Sequence, residues 1–436
     1  MKIVVAAEPI ENGAGLANFL LDSVSLFSQA MPEWQFTIMA MSYFSDAADL
    51  ERYPNVKVVF CDRLGWRGAL LRLLPVFRGR DRLFNLLAEI SPASFLKKQF
   101  GNLEETWKSL GPYDAVWVPH FAISQNRWPA LYKPGTIKAP ALLTIHDLHP
   151  AVFPDEWKPY PKMIDNFWNR FKPFAGKVQA VVAHSQFQKD AIVKHFGIAP
   201  EKIKVIYMPL PKSNNLKQLY DKQEVGAIQK QLGVREPFVF SPMSQGTSHK
   251  NHLRLIRAWA LVRQQMGNKC PQLVFTSWGS EDHHRKFKQV IQSLDLGNKV
   301  VFTGLVNRQH MEMLYQRCVS VVSPTLYESS CGLPILEALS IGKQVAGSDI
   351  PPVREQMEHF KIAINYFDPL NEQNMAKVIV GMLQREQREN PNICRGNHQI
   401  KRDGRKEFVE GYIEQFHCLK CLSGGKTTCN SRQMQV

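Results

Sequence analysis

Two glutamates around a Gly-Leu-Pro turn are the residues of this 436-residue chain whose types and spacing most suggest chemistry. They are Glu328 and Glu337, in Ser323-Pro-Thr-Leu-Tyr-Glu-Ser-Ser-Cys-Gly-Leu-Pro-Ile-Leu-Glu-Ala338. The pattern predicts a strand that ends, a short loop carrying Glu328 and Gly332-Leu333-Pro334, and a helix bearing Glu337. A helix start leaves backbone N–H groups pointing outward, with the positive end of the helix dipole behind them. Phosphates and carboxylates settle well there. Carboxylates on either side suit the hydroxyls of a sugar or ribose, from which they accept charge-assisted hydrogen bonds. A plain turn with two solvated glutamates fits the same residues, so both readings stand on this stretch alone.

Three further places fall at strand-to-helix turns. Ser244-Gln-Gly-Thr-Ser-His-Lys-Asn-His252 carries Lys250 before a helix expected over 253–262. A lysine there is a mobile positive charge suited to a diphosphate, or simply part of a solvated helix start. Asn12-Gly-Ala-Gly15 offers Gly13 and Gly15, where the backbone can approach a ligand closely and expose N–H donors. It lacks the third glycine of a dinucleotide fingerprint, and a tight turn explains it as well. His146-Asp147 follows the apolar run 141–145; the histidine is a ligand contact or a structural cap of the strand. The chain has no clear Asp-x-Asp metal site, so no metal is expected.

The elements that must carry these residues alternate strand and helix from end to end. Apolar runs predict strands at 2–7, 36–40, 56–60, 114–118, 141–145, 178–183 and 202–206, then at 238–241, 273–276, 299–303, 319–323, 344–346 and 362–364. Continuous apolar strands between helices argue for parallel sheets covered on both faces. The proline-rich polar stretch 208–215 separates the two series. The fold expected is therefore α/β: two facing Rossmann-like, doubly wound domains with a cleft between them and ligand at the carboxyl ends of the strands. Boundaries are expected at 1–210 and 211–400. An amphipathic stretch over 401–417 would close the second domain or pack back on the first, and a polar tail over 418–436 would be disordered.

The length suits two domains of roughly 200 residues each, and 44% hydrophobic with 21% charged residues is a globular composition. No apolar run reaches the ~20 residues of a spanning helix, and the charged start Met1–Glu8 is a poor secretory signal. Eight scattered cysteines suit reduced thiols in a cytoplasmic protein. Cys418-Leu-Lys-Cys421 lacks the second ligand pair of a metal site. With 54 basic against 39 acidic residues the net charge is +15, which draws the protein toward polyanions. The stretch 66–82 places five arginines among leucines and aromatics. It reads as peripheral contact with anionic lipid or with an acidic acceptor, or as a core helix with a basic face. Basic residues interleaved with stacking aromatics are otherwise lacking, so nucleic acid is not an expected partner.

Residues 323–338 resemble the donor-site signature of the family 4 retaining glycosyltransferases (glycosyl transferase group 1), which have the GT-B fold. The similarity takes in Val300-Val-Phe-Thr-Gly304, Leu314-Tyr-Gln316, Ser348-Asp-Ile-Pro-Pro-Val-Arg-Glu355 and Phe367-Asp-Pro-Leu370. Fainter matches run back through Pro200-Glu-Lys-Ile-Lys-Val-Ile206 and Ser185 to His146-Asp-Leu148. The resemblance implies metal-independent transfer of a mannose- or glucose-type hexose, with retention, from a GDP- or UDP-linked sugar to a glycan or lipid-linked acceptor. No cofactor beyond that co-substrate is implied. By resemblance Glu337 holds the donor ribose, Glu328 contacts the transferred sugar, and Lys250 neutralises the leaving diphosphate. The glycine loop at Gly13 and Gly15 faces donor phosphates and acceptor, as do amides around Gly332, Leu333 and Pro334. Pro334 itself has no N–H to give. His146 touches the donor sugar or the reacting centre, making His146, Glu328 and Lys250 the expected catalytic residues. The placement implied is cytoplasmic, at the inner face of a membrane.

Two departures stand out. Relatives usually have seven residues between the glutamates; here there are eight, the extra one lying in Glu328-Ser-Ser-Cys-Gly332. Gln245 stands where many relatives carry an arginine. Both departures support the rival reading, a non-catalytic sugar-nucleotide or polyanion-binding protein on the same fold.

Overall fold

The structure, a computed structural model, describes residues 1–7, 15–40, 45–61, 106–107, 109–121, 137–211, 221–242, 248–276, 281–388 and 403–423. The chain divides into two compact units. The first comprises Met1–His184, Lys189–Ile206 and the segment from Glu407; the second comprises Ser185–Gln188 and Tyr207–Lys406.

The first unit is built on a seven-stranded sheet of order β3-β2-β1-β4-β5-β6-β7, parallel throughout. Its strands are β1 Lys2–Ala6, β2 Gln35–Ala40, β3 Val56–Phe60, β4 Ala115–Val118, β5 Ala141–Thr144, β6 Ala180–Ala183 and β7 Ile203–Val205. The central strands β4, β5 and β6 are buried at every residue, as their unbroken apolar sequences require of strands covered on both faces. The helix Gly15–Ala30 buries Phe19, Leu20, Val24 and Phe27 along one face, at the helical spacing read from the sequence.

The last described helix, Arg405–Ser423, completes this core. Phe408 stacks on Phe27 and Tyr412 lies 5.4 Å from Trp117, ring centre to ring centre. The indole N–H of Trp117 donates to Thr144 Oγ1 at 3.0 Å, and Thr144 Oγ1 lies 2.9 Å from the Tyr412 hydroxyl, so this buried contact is hydrogen-bonded as well as apolar. A Cβ on Gly411 would stand 3.1 Å from Ile206, so the helix and the strand end approach closely. Residues 418–423, expected with the disordered tail, form its last turns because Leu419 is buried in the same face.

The second unit carries six parallel strands in the order β10-β9-β8-β11-β12-β13. They are β8 Phe238–Phe240, β9 Gln272–Phe275, β10 Val300–Phe302, β11 Ser320–Ser323, β12 Gln344–Ser348 and β13 Asn365–Phe367. Its core gathers Trp259, Phe275, Val322, Phe367 and Ile379. The last strand lies three residues beyond the 362–364 run. Lys361, at φ +57°, ends the helix Pro351–Phe360, and Ile362 N–H returns to Met357 O, so these residues close the helix instead of opening the strand.

In each sheet the chain moves outward one way and then the other. The reversals fall between β1 and β4 and between β8 and β11. Ligands of open α/β sheets bind outside the carboxyl ends of the strands at such a switch point. No helix among the described residues is long and apolar enough to cross a membrane.

Candidate active site

In the second unit the loops after β8 and β11, the two strands at the switch point, bring Lys250 and Glu328 together. Lys250 Nζ donates to Glu328 Oε1 at 2.6 Å, and both side chains are mostly buried, 29% and 16% exposed. Asn251 makes this meeting possible. Its φ of +59° turns the chain into the helix His252–Met266, a conformation Asn tolerates better than most residues. Its side-chain amide donates to Pro324 O at 2.9 Å and Pro369 O at 2.7 Å, tying the loops after β11 and β13 to the helix start. Leu326 N–H donates to His249 O at 2.7 Å, closing the same junction from the other side. Asn251 and His252 are thus buried at this turn, not solvated.

Glu337, on the helix Leu333–Ser340, is fixed by a different element. Tyr315, wholly buried on the helix Arg308–Arg317, donates its hydroxyl to Glu337 Oε2 at 2.5 Å. Burial, and then the Glu337 charge, push the Tyr315 hydroxyl far above its usual range, so it stays a proton donor to the carboxylate.

Gly332 precedes that helix at φ +85°, and a Cβ there would stand 3.4 Å from the Glu328 carboxyl carbon. The backbone angle is what calls for glycine; a Cβ would only come into ordinary contact with the carboxylate. The extra residue leaves Glu328 turned toward Lys250, with Gly332 beneath its carboxylate. The Gly332 amide is engaged by Ser330 Oγ at 3.3 Å and the Cys331 amide by Gln356 Oε1 at 3.0 Å. Leu333 is therefore the first residue of the turn able to offer an outward amide in the manner of a helix start; Pro334 follows it.

In the first unit three imidazoles stand side by side at the carboxyl ends of adjacent strands. His120 follows β4, His146 follows β5 and His184 follows β6. The His146 ring centre lies 4.9 Å from that of His184, 6.1 Å from that of His120 and 4.5 Å from that of Phe19. His146 Nε2 lies 2.8 Å from Pro119 O, His184 Nδ1 3.0 Å from Ile206 O, and His184 Nε2 3.2 Å from His146 Nδ1. A carbonyl can only accept, so each outer nitrogen carries its proton. The inner nitrogens then bond only when one proton lies between them, which gives the pair a single positive charge.

Burial opposes that charge. Desolvation, then the His184 and His120 charges, draw His146 well below the usual histidine range, and desolvation brings His184 and His120 to about 4. An uncharged pair has two protons for these three contacts, so only two of them can be hydrogen bonds at once.

Of the residues singled out from the sequence, the structure brings Lys250, Glu328 and Gly332 into contact and places Glu337, Leu333 and Pro334 on the adjoining helix. Gly15 opens the helix Gly15–Ala30. Gly13, Gln245, the stretch 66–82 and residues 424–436 lie outside the described residues. Tyr315, Asn251, His120 and His184 were not foreseen. A histidine within two residues of the end of an apolar strand was the available signal for His120 and His184.

Two parallel sheets, one of them with a lysine–carboxylate pair at its switch point, define an α/β protein with a candidate site at the carboxyl ends of its strands. Residues 56–211 match the family model described as Glycosyltransferase Family 4, and residues 226–399 match that for Glycosyl transferases group 1. The chain belongs to the group 1 glycosyltransferases and has the GT-B fold of two Rossmann-like domains. It is similar to the O-antigen chain mannosyltransferase RfbU of Salmonella typhimurium, 25% identical over 386 residues, which cover 88% of this chain and 95% of the relative. O-antigen chain mannosyltransferase B of Escherichia coli is 22% identical over 366 residues, 81% of this chain and 84% of its own. Among solved structures, Anabaena HepE in complex with UDP and glucose superposes with a TM-score of 0.64, covering 96% of this chain and 99% of that chain at 19% identity.

Proposed function

We propose that this glycosyltransferase moves a hexose, of mannose type, from a nucleoside-diphosphate sugar to a growing glycan or a lipid-linked sugar, with retention of configuration and without a metal. The mannose assignment rests on the names of the two bacterial relatives, and the sugar is GDP- or UDP-linked. One observation carries the chemical reading: Lys250 and Glu328 meet at the β8–β11 switch point, beside the helix whose Glu337 is fixed by Tyr315.

When the bond from sugar C1 to the diphosphate oxygen breaks, negative charge grows on the departing diphosphate and the sugar becomes oxocarbenium-like. A lysine and helix-start amides set in place before that moment offset the charge without reorganising, which is where such groups act most strongly. Lys250 is that charge, and Leu333 opens the helix Leu333–Ser340 in the manner of an anion site. Glu328, across from Lys250, suits the hydroxyls of the transferred sugar, and Glu337 the ribose diol. In the absence of donor the lysine is neutralised by Glu328, so the incoming diphosphate takes over a charge already held in place. Retention follows from the family resemblance.

The test is transfer from GDP-mannose and from UDP-glucose to lipid-linked acceptor in EDTA, with the product's anomeric coupling read by NMR. Transfer that persists in EDTA, keeps the anomeric configuration and falls by about a hundredfold or more in Lys250→Ala is expected, since one preorganised donor of this kind is worth ~10²–10³. Activity that appears only on adding a divalent cation, or that survives Lys250→Ala, would overturn the proposal.

A further inference from the structure

The backbone of the loop that carries Glu328 is fastened by side chains from elsewhere. Ser185 Oγ donates to Ser329 O at 2.7 Å. Gln356, wholly buried on the helix Pro351–Phe360, accepts from Cys331 N–H at 3.0 Å through Oε1. Through Nε2 it donates to Met208 O at 2.5 Å. Ser330 and Cys331 are themselves buried, so the peptide groups Gln356 serves have little access to water. A buried polar group left unmade is expensive, and a primary amide supplies one acceptor and one donor at once. A carboxylate there could serve the Cys331 amide but not the Met208 carbonyl; an aliphatic side chain could serve neither.

The neighbour of Gln356 is anchored too. Glu355 accepts from Gln186 N–H at 2.5 Å, Phe187 N–H at 3.2 Å and the Tyr207 hydroxyl at 2.8 Å. The helix that presents Gln356 is thereby held where the loop needs it. Cys331 lies immediately before Gly332, whose Cα faces the Glu328 carboxylate so closely that a Cβ would meet it at 3.4 Å. A displacement of Cys331 therefore reaches Glu328, and through it Lys250.

We infer that Gln356 is a positioning residue of the donor site, clamping the 328–332 loop to the backbone at Met208 so that Glu328 faces Lys250. This inference rests on the donor-site reading above.

The test is a double-mutant cycle of Gln356→Leu with Glu328→Gln, read as release of GDP from GDP-mannose or UDP from UDP-glucose, whichever donor the wild-type chain turns over, alongside urea midpoints. Clamping makes the two changes non-additive. Gln356→Leu is expected to slow release about tenfold in the wild-type background, the loss of a hydrogen bond's worth of positioning, and by less than about twofold once Glu328 is already Gln. An equal factor in both backgrounds that follows the urea midpoint would make Gln356 a structural residue only and overturn the inference; so would an unchanged rate in Gln356→Leu. If Gln356→Leu does not fold, the isosteric Gln356→Glu and the distant anchor Ser185→Ala enter the same cycle with the same criteria. A Glu328→Gln variant as active as wild type counts against the donor-site reading itself, and is thus told apart from failure of the clamp.

Discussion

Lys250, Glu328, Glu337 and Tyr315 behave as two buried partnerships, each an acid held by a donor of different reach. The lysine bond is one that a phosphate can displace; the tyrosine bond orients Glu337 from inside the core. Tyr315→Phe removes that orientation with little change of volume. We expect it to raise the donor KM about tenfold, one hydrogen bond to a charged group, with a smaller change in kcat, as steady-state kinetics with varied donor will show. A kcat loss with KM unchanged would place Tyr315 elsewhere in the reaction.

The buried histidines give a second residue-scale expectation. Desolvation lowers His184 to about 4 and His252, beside Lys250, to about 3, both below the ~6.5 of an exposed imidazole. As pH falls the unfolded chain takes up these protons first. The stability contributed by the neutral rings is complete above about pH 6.5 and is lost progressively as pH drops toward 4 and below. For His184 alone that amounts to about 3 kcal/mol. Urea midpoints between pH 7.5 and 4.5 should fall accordingly, and His184→Gln should flatten the slope; a slope unchanged by the substitution would contradict the assignment.

At the scale of elements, short turns do the positioning. Gly332 sets the helix Leu333–Ser340 against the Glu328 carboxylate. Gly332→Ala therefore meets a disfavoured backbone angle. It is expected to cost about 2 kcal/mol by chemical denaturation and to weaken donor binding, whereas unchanged binding would free the turn from the site.

These turns also mark how far the sequence could be read. Strands such as Ala180–Ala183 announce themselves because a strand buried on both faces must be apolar at every position. The last strand was displaced because Ile362 looks like strand until Lys361 is known to end a helix. The lysine–carboxylate pair was legible, since Lys250 and Glu328 each follow an apolar run. Their partners were not. Tyr315 lies in the Leu314-Tyr-Gln316 match, but nothing in that match ties its hydroxyl, which burial obliges to find a partner, to Glu337. His120, His146 and His184 lie far apart in the chain and become neighbours only through the β4-β5-β6 order. Gln356 looked like any polar residue of an amphipathic helix.

At the scale of the molecule, two Rossmann-like units divide the work by sequence order, except that the chain's described end returns to the first. Phe408, Tyr412 and Phe416 fill that unit's aromatic core beside Phe27 and Trp117, so its stability depends on residues some 300 positions downstream of its central strands. The second unit holds the lysine, both glutamates and the amides proposed for the donor.

The central claim is that protein groups alone receive the diphosphate. Calorimetric titration of GDP and of UDP into the full chain in EDTA, repeated with Lys250→Ala, tests it most directly. Selective binding of one nucleotide without metal, weakened by about tenfold or more in the variant, one charge-assisted contact, is the result predicted. Binding that requires a divalent cation, or that is the same in Lys250→Ala as in the wild-type chain, would contradict it.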